Sequence, residues 1–157
     1  ISKLMTSMVV IDAQQDLHQV LEITKDDIDS EKGTHSRLRV GTRLSRAELL
    51  HLALMSSENR AASALGRNYP GGLQAFVSAM NAKSRMLGMA DTRFVEPTGL
   101  SSRNVSTARD LARMVQAAGD YPLIRQYSTS PGLHALTLAL ACLYHSRGLT
   151  HPFVPRR

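Results

Sequence analysis

The sequence predicts a mostly α chain with a small β element. Three observations carry this reading. Apolar residues recur at helical spacing, or fill short segments outright, over most of the first two thirds of the chain. A capping-box pair, Ser45 and Glu48, marks one helix start. Only residues 20–24 and 37–44 alternate apolar with polar or charged side chains as a half-buried strand does.

The first helix is expected from about Ile1 to Gln15. Leu4, Met5, Met8, Val9, Val10 and Ile11 surround its axis on nearly every side, the pattern of a buried helix and a rigid support for a chemical group at its N-terminus. Leu21 and Ile23, then Leu38, Val40 and Leu44 set against Arg37, Arg39 and Arg43, predict two short strands in a hairpin-like excursion. Ser45 and Glu48 then open a helix whose body is Leu49, Leu50, Leu52, Ala53 and Leu54. Ser56 and Ser57 interrupt it, and helix resumes from Glu58 to Asn68, which leaves Ser57 in a loop between two helices. Gly71 and Gly72 break the chain before a helix over about Leu73 to Leu87, with Gly88 as its stop. Ser106 or Thr107 caps a helix through Ala118, terminated by Gly119 and Pro122.

At 157 residues and 43% hydrophobic content, the chain is long enough for one sizeable core. It has no apolar run long enough to span a bilayer, and no basic-then-apolar stretch of the kind a signal peptide needs. The single Cys142 excludes an internal disulfide and any multi-cysteine zinc site. A net charge of +6 favours polyanionic partners in general. Yet Arg46, Arg60, Arg67, Arg85, Arg109 and Arg113 are spread along helix faces, and aromatic content of 4% with no Trp gives no platform for stacking bases, so nucleic acid is set aside. His18, His35, His51, His134, His145 and His151 lack paired ligand spacing and are read as solvated or capping residues; no metal and no cofactor is expected.

The residues that carry chemistry are Lys3, Ser57 and Asn59. Lys3 stands in Ile1-Ser2-Lys3-Leu4-Met5-Thr6, and Ser57-Glu58-Asn59 forms a complete S-x-N triplet. Together they look like the Lys of an S-x-x-K motif and its S-x-N partner. A run from Phe76 to Lys83 leads into Leu87-Gly88-Met89, Thr92-Arg93-Phe94 and Glu96-Pro97-Thr98-Gly99-Leu100, and Ser106-Thr107-Ala108-Arg109-Asp110-Leu111 continues it. This order resembles that of the low-molecular-weight penicillin-binding proteins, the serine D-alanyl-D-alanine carboxypeptidases and endopeptidases, over about residues 1 to 129. Glu58, where the carboxypeptidases usually carry Gly, is more similar to the endopeptidase branch.

The resemblance implies a partial β-lactamase/transpeptidase-like α+β fold lacking most of its sheet, in a truncated, exported, periplasmic enzyme. It implies peptidoglycan peptides and β-lactam antibiotics as partners of the full-length enzyme. Lys3 would be the base, Ser57 a proton shuttle and Asn59 the residue that orients Lys3 and substrate. The Ser of S-x-x-K falls three residues before Lys3, one position ahead of Ile1, and no Lys-Thr-Gly triplet occurs in the chain. The fragment itself is therefore expected to be inactive, with the apolar faces at Leu4 to Ile11 and Leu49 to Met55 left bare unless the tail covers them. A D-alanyl-D-alanine carboxypeptidase, or a non-catalytic basic module binding anionic polymer, stand as alternatives.

After Ser130 the character of the sequence changes. Residues 131–157 contain no Asp, Glu or Lys but include His134, His145 and His151, three of the six His, and the sole Cys. Two readings of residues 130–157 stay open: a divergent tail from a shifted reading frame, or an apolar helix from about Leu133 to Tyr144.

Overall fold

The first helix is buried because most of it is apolar and its polar side chains Lys3, Thr6 and Ser7 all find acceptors. The computed structural model describes residues 1–130, and in it α1 spans Ser2–Asp12 with Met5, Met8, Val9 and Val10 in the core. Around α1 pack α2 (Arg46–Met55), α3 (Asn59–Arg67), α4 (Gly72–Met86), α5 (Ala108–Ala118) and α6 (Pro122–Ser128). A helix touched from so many directions must be apolar nearly all round, and this one is. The faces expected to be bare are instead the centre of the core: Met5, Met8, Leu49 and Leu50 are all 0% exposed. The five surrounding helices supply the cover that sequence reading assigned to a sheet.

The β element is smaller than expected. β1 (Val20–Glu22) pairs antiparallel with β2 (Arg43–Ser45), Leu21 opposite Leu44. Residues 37–42 are not strand. Their alternation has no partner to pair with: the chain turns at Gly41, φ +86, where Gly41 N–H donates to the Ile23 carbonyl and Thr42 N–H to that of Arg39. Leu38 is buried but Val40 is 44% exposed. The connection between the strands holds a short 3-10 turn, Lys25–Asp27, whose buried Asp27 accepts from Thr24 N–H, Ser63 and Arg67. This ties the excursion to α3, and the Arg67–Asp27 pair is 2.9 Å long.

The capping box at Ser45 and Glu48 forms as the sequence indicates, each side chain accepting from the other's backbone N–H. Thr107, not Ser106, caps α5 by accepting from Asp110 N–H. Gly88 follows α4 at φ +69, a left-handed position that stops the helix at low cost. Pro122 does not end a helix. It occupies the first turn of α6, where its missing N–H costs nothing because that donor has no intrahelical partner. α6 docks against α2, with Tyr127 stacked on His51 at 4.5 Å between ring centroids. His51 is thus buried, contrary to a solvated or capping role, and burial holds its pKa below the usual histidine range. Tyr121 bridges Asp12 at the end of α1 and Lys83 on α4, with Lys83 also 2.8 Å from Asp12.

No helix among the described residues is long and apolar enough to cross a membrane. The tail reading at Leu133 to Tyr144 lies outside the described residues.

Candidate active site

The first turn of α1 carries Lys3, and the helix is packed so closely that the side chain is only 9% exposed. An ammonium in such a place needs acceptors. Lys3 Nζ donates to Asn59 Oδ1 at 2.8 Å and to the Thr98 carbonyl at 2.7 Å. Burial pushes the Lys3 amine below the usual lysine range; the carboxylates of Glu96 and Glu58 pull the other way but do not restore it.

Asn59 is the first residue of α3, directly after its cap Glu58. The Asn59 side chain is held at both ends: its oxygen faces Lys3, and its Nδ2 donates to Thr34 Oγ1 at 3.1 Å. Glu58 accepts from Arg60 N–H at the helix start and from Ser36 Oγ at 2.7 Å. The strand-to-strand excursion therefore lies against the S-x-N triplet at Thr34 and at Ser36.

Ser57 is exposed and its hydroxyl makes no hydrogen bond among the described residues. Its φ is +54, a conformation that a residue with a Cβ adopts only at some cost. The turn around it explains why. The Leu52 carbonyl accepts from Ser56 N–H and Glu58 N–H, reversing the chain between α2 and α3 in so few residues that Ser57 must take the left-handed form. Of the three residues singled out in the sequence, the structure brings Lys3 and Asn59 together and leaves Ser57 open to solvent on the connecting loop.

The opposite side of Lys3 was not foreseen from the sequence. It is a loop built around one carboxylate. Glu96 Oε1 accepts from Gly99 N–H at 2.8 Å and from Asn104 Nδ2 at 2.6 Å, while Oε2 accepts from Thr98 N–H and the Thr98 hydroxyl. Thr6, one turn after Lys3, donates to the Pro97 carbonyl at 2.7 Å. Lys3 and Thr6 thus clamp successive carbonyls of this loop onto α1. Gly99 sits at φ +85 against Ser2, where a Cβ would stand 2.9 Å from the Ser2 hydroxyl. The signal was present in the run Glu96-Pro97-Thr98-Gly99, but a backbone carbonyl as ligand leaves no mark in a sequence.

A buried lysine at a helix start, bonded to the Asn of an S-x-N turn, matches a known group. The model of the D-alanyl-D-alanine carboxypeptidase family matches residues 1–145. The chain belongs to the D-alanyl-D-alanine carboxypeptidase family. It is 58% identical over 131 residues to a D-alanyl-D-alanine endopeptidase of Pseudomonas aeruginosa and 56% identical over 130 residues to one of Escherichia coli, in each case over 83% of this chain. The chain spans 42% of the length of each of these relatives. Its fold is similar to that of a D-alanyl-D-alanine carboxypeptidase from Mycobacterium tuberculosis, with a TM-score of 0.73, 28% identity, and coverage of 84% of this chain and 50% of that one. The family is one of serine-type peptidases, and the mostly helical architecture with a two-stranded sheet is part of its penicillin-binding-protein fold.

Proposed function

We propose that this chain supplies the Lys3 side of the cleft of an exported serine DD-endopeptidase that cuts peptide cross-links in peptidoglycan and is acylated by β-lactams. The observation that carries the reading is the Lys3–Asn59 contact inside a nearly closed environment. Lys3 is the base. As a neutral amine its two N–H groups are used by Asn59 Oδ1 and the Thr98 carbonyl, which leaves the lone pair to receive a proton. Burial favours that neutral form.

In a protein that carries a Ser three residues before Lys3, the two side chains share one face of α1. The Ser oxygen attacks the D-alanyl carbonyl as its proton passes to Lys3 Nζ. Ser57 then relays a proton from Lys3 to the departing amine nitrogen, the C–N bond breaks, and an acyl-enzyme remains for water to hydrolyse with Lys3 again taking the proton. Asn59 holds Lys3 in position and offers its amide to the peptide backbone of the substrate. The hydroxyl of Ser57 is suited to a relay because no side chain among the described residues holds it.

Glu58 inside the S-x-N triplet and the relatives bearing the endopeptidase name favour cross-link cleavage. Carboxypeptidase cleavage is the second reading, supported by the description of the family itself. A full-length protein given a cross-linked muropeptide dimer and, separately, a monomeric pentapeptide decides between them. Endopeptidase action converts the dimer to monomers; release of D-alanine from the pentapeptide alone would make the enzyme a carboxypeptidase.

A further inference from the structure

The excursion between β1 and β2 reaches the cleft through a chain of hydrogen bonds that starts at Asp29. The Asp29 carboxylate accepts from the backbone N–H groups of Glu31 at 2.8 Å, Lys32 at 3.0 Å and Thr34 at 2.7 Å. Three donors on one carboxylate fold residues 29–34 into a closed turn and fix where the Thr34 side chain emerges. Thr34 Oγ1 then accepts from Asn59 Nδ2. The same excursion is fastened again just after this contact, by Ser36 on Glu58 and by Arg60 donating to the Leu38 carbonyl at 2.6 Å.

We propose that Thr34 is a positioning residue for Asn59: its hydroxyl, set in place by Asp29, takes the Asn59 amide hydrogen and so turns the amide oxygen toward Lys3. The inference rests on the reading of Lys3 as base. A carboxamide has one donor end and one acceptor end, and Lys3 Nζ, as ammonium or as amine, donates an N–H to Asn59 Oδ1. The Asn59 oxygen must therefore face Lys3, and the NH2 end must find an acceptor on the other side. Thr34 Oγ1 is that acceptor. Without it the amide is pinned at one end alone, free to swing about its side-chain torsions, and Lys3 loses the fixed partner that aligns its lone pair.

Thr34→Val keeps the shape and removes the acceptor; Thr34→Ser restores it. In a full-length protein with the upstream Ser, Thr34→Val is expected to slow penicillin acylation by about three- to tenfold, the scale of one neutral hydrogen bond, through the maximal rate and not through penicillin binding, with Thr34→Ser returning close to the parent. A second measurement needs no activity: hydrogen exchange of the Asn59 side-chain NH2 with water, followed by NMR in the 157-residue chain. It is expected to accelerate in Thr34→Val and recover in Thr34→Ser. Equal exchange in Thr34→Val and parent overturns the positioning role, as does equal acylation. A parent that is never acylated overturns Lys3 as base, while the exchange measurement still decides the role of Thr34.

Discussion

Lys3 Nζ and Asn59 Oδ1 stand 2.8 Å apart across 56 residues of sequence. The contact joins the first turn of α1 to the first turn of α3. It places a cation where water barely reaches, with a carboxamide oxygen and a backbone carbonyl as its partners. The site depends on this relationship, because a lysine becomes a usable base only where its charged form is penalised.

The pH dependence follows directly. Burial lowers the Lys3 pKa in the folded state, so between that value and the ordinary lysine value the unfolded chain binds more protons than the native one. Stability therefore rises with pH across this window, and falls as pH drops through the folded pKa. Acylation, which needs the neutral amine, rises as pH climbs through the lowered folded pKa and levels off above it, before a free lysine titrates. In full-length protein with the upstream Ser, Lys3→Ala should abolish acylation while circular dichroism keeps the helical signature. A pH–rate profile for acylation with no rise anywhere below the ordinary lysine pKa would remove Lys3 from the role of base.

Ser57 allows strain and chemistry to be separated. Ser57→Ala keeps the left-handed backbone cost and removes the hydroxyl; it should leave stability near that of the parent and slow turnover by about a hundredfold, the usual scale for a lost proton relay, with residual acylation through water. Ser57→Gly removes the hydroxyl and also relieves φ +54, so it should lose the same activity while gaining up to about 1 kcal/mol of stability. Muropeptide hydrolysis in parallel with chemical denaturation checks both. Unchanged hydrolysis in either variant would make Ser57 a turn residue only.

Glu96 should behave as the keystone of the loop that carries Thr98. Its carboxylate satisfies backbone and side-chain donors at Thr98, Gly99 and Asn104. Glu96→Ala leaves these part-buried and exposed donors without their charged acceptor and should cost about 1–3 kcal/mol, with water replacing part of what is lost. Glu96→Gln keeps the shape but replaces an acceptor oxygen with a donor and should cost less. Urea denaturation midpoints rank the variants. A Glu96→Ala midpoint equal to the parent's would mean the loop is held by Thr6 and Lys3 alone.

The parts of the fold legible in the sequence are those specified locally. The Ser45–Glu48 capping box, the left-handed stop at Gly88 and the all-round apolar character of α1 each depend on neighbouring residues, and each forms as read. A local signal with two meanings does not decide the structure. Pro122 ends helices and also begins them, and only the docking of α6 on α2 decides. The alternation at Arg37 to Val40 is strand-like, but a strand exists only where another can pair with it. At the site, Lys3 and Asn59 were visible through the order of their motifs. Thr34, Glu96 and the Thr98 carbonyl were not, because their roles depend on where a loop lands, and His51 gave no sign of the ring that would cover it.

The most direct test of the account is the intact mass of two proteins after incubation with excess penicillin: the 157-residue chain, and a full-length form with a Ser three residues before Lys3 and a Lys-Thr-Gly strand. One stoichiometric acyl adduct is expected on the full-length form, mapped by peptide digestion to that upstream Ser and lost in Lys3→Ala, and none on the 157-residue chain. An adduct on Ser2, Ser57 or any other Ser of the shorter chain, or a full-length form that stays unlabelled, would contradict it.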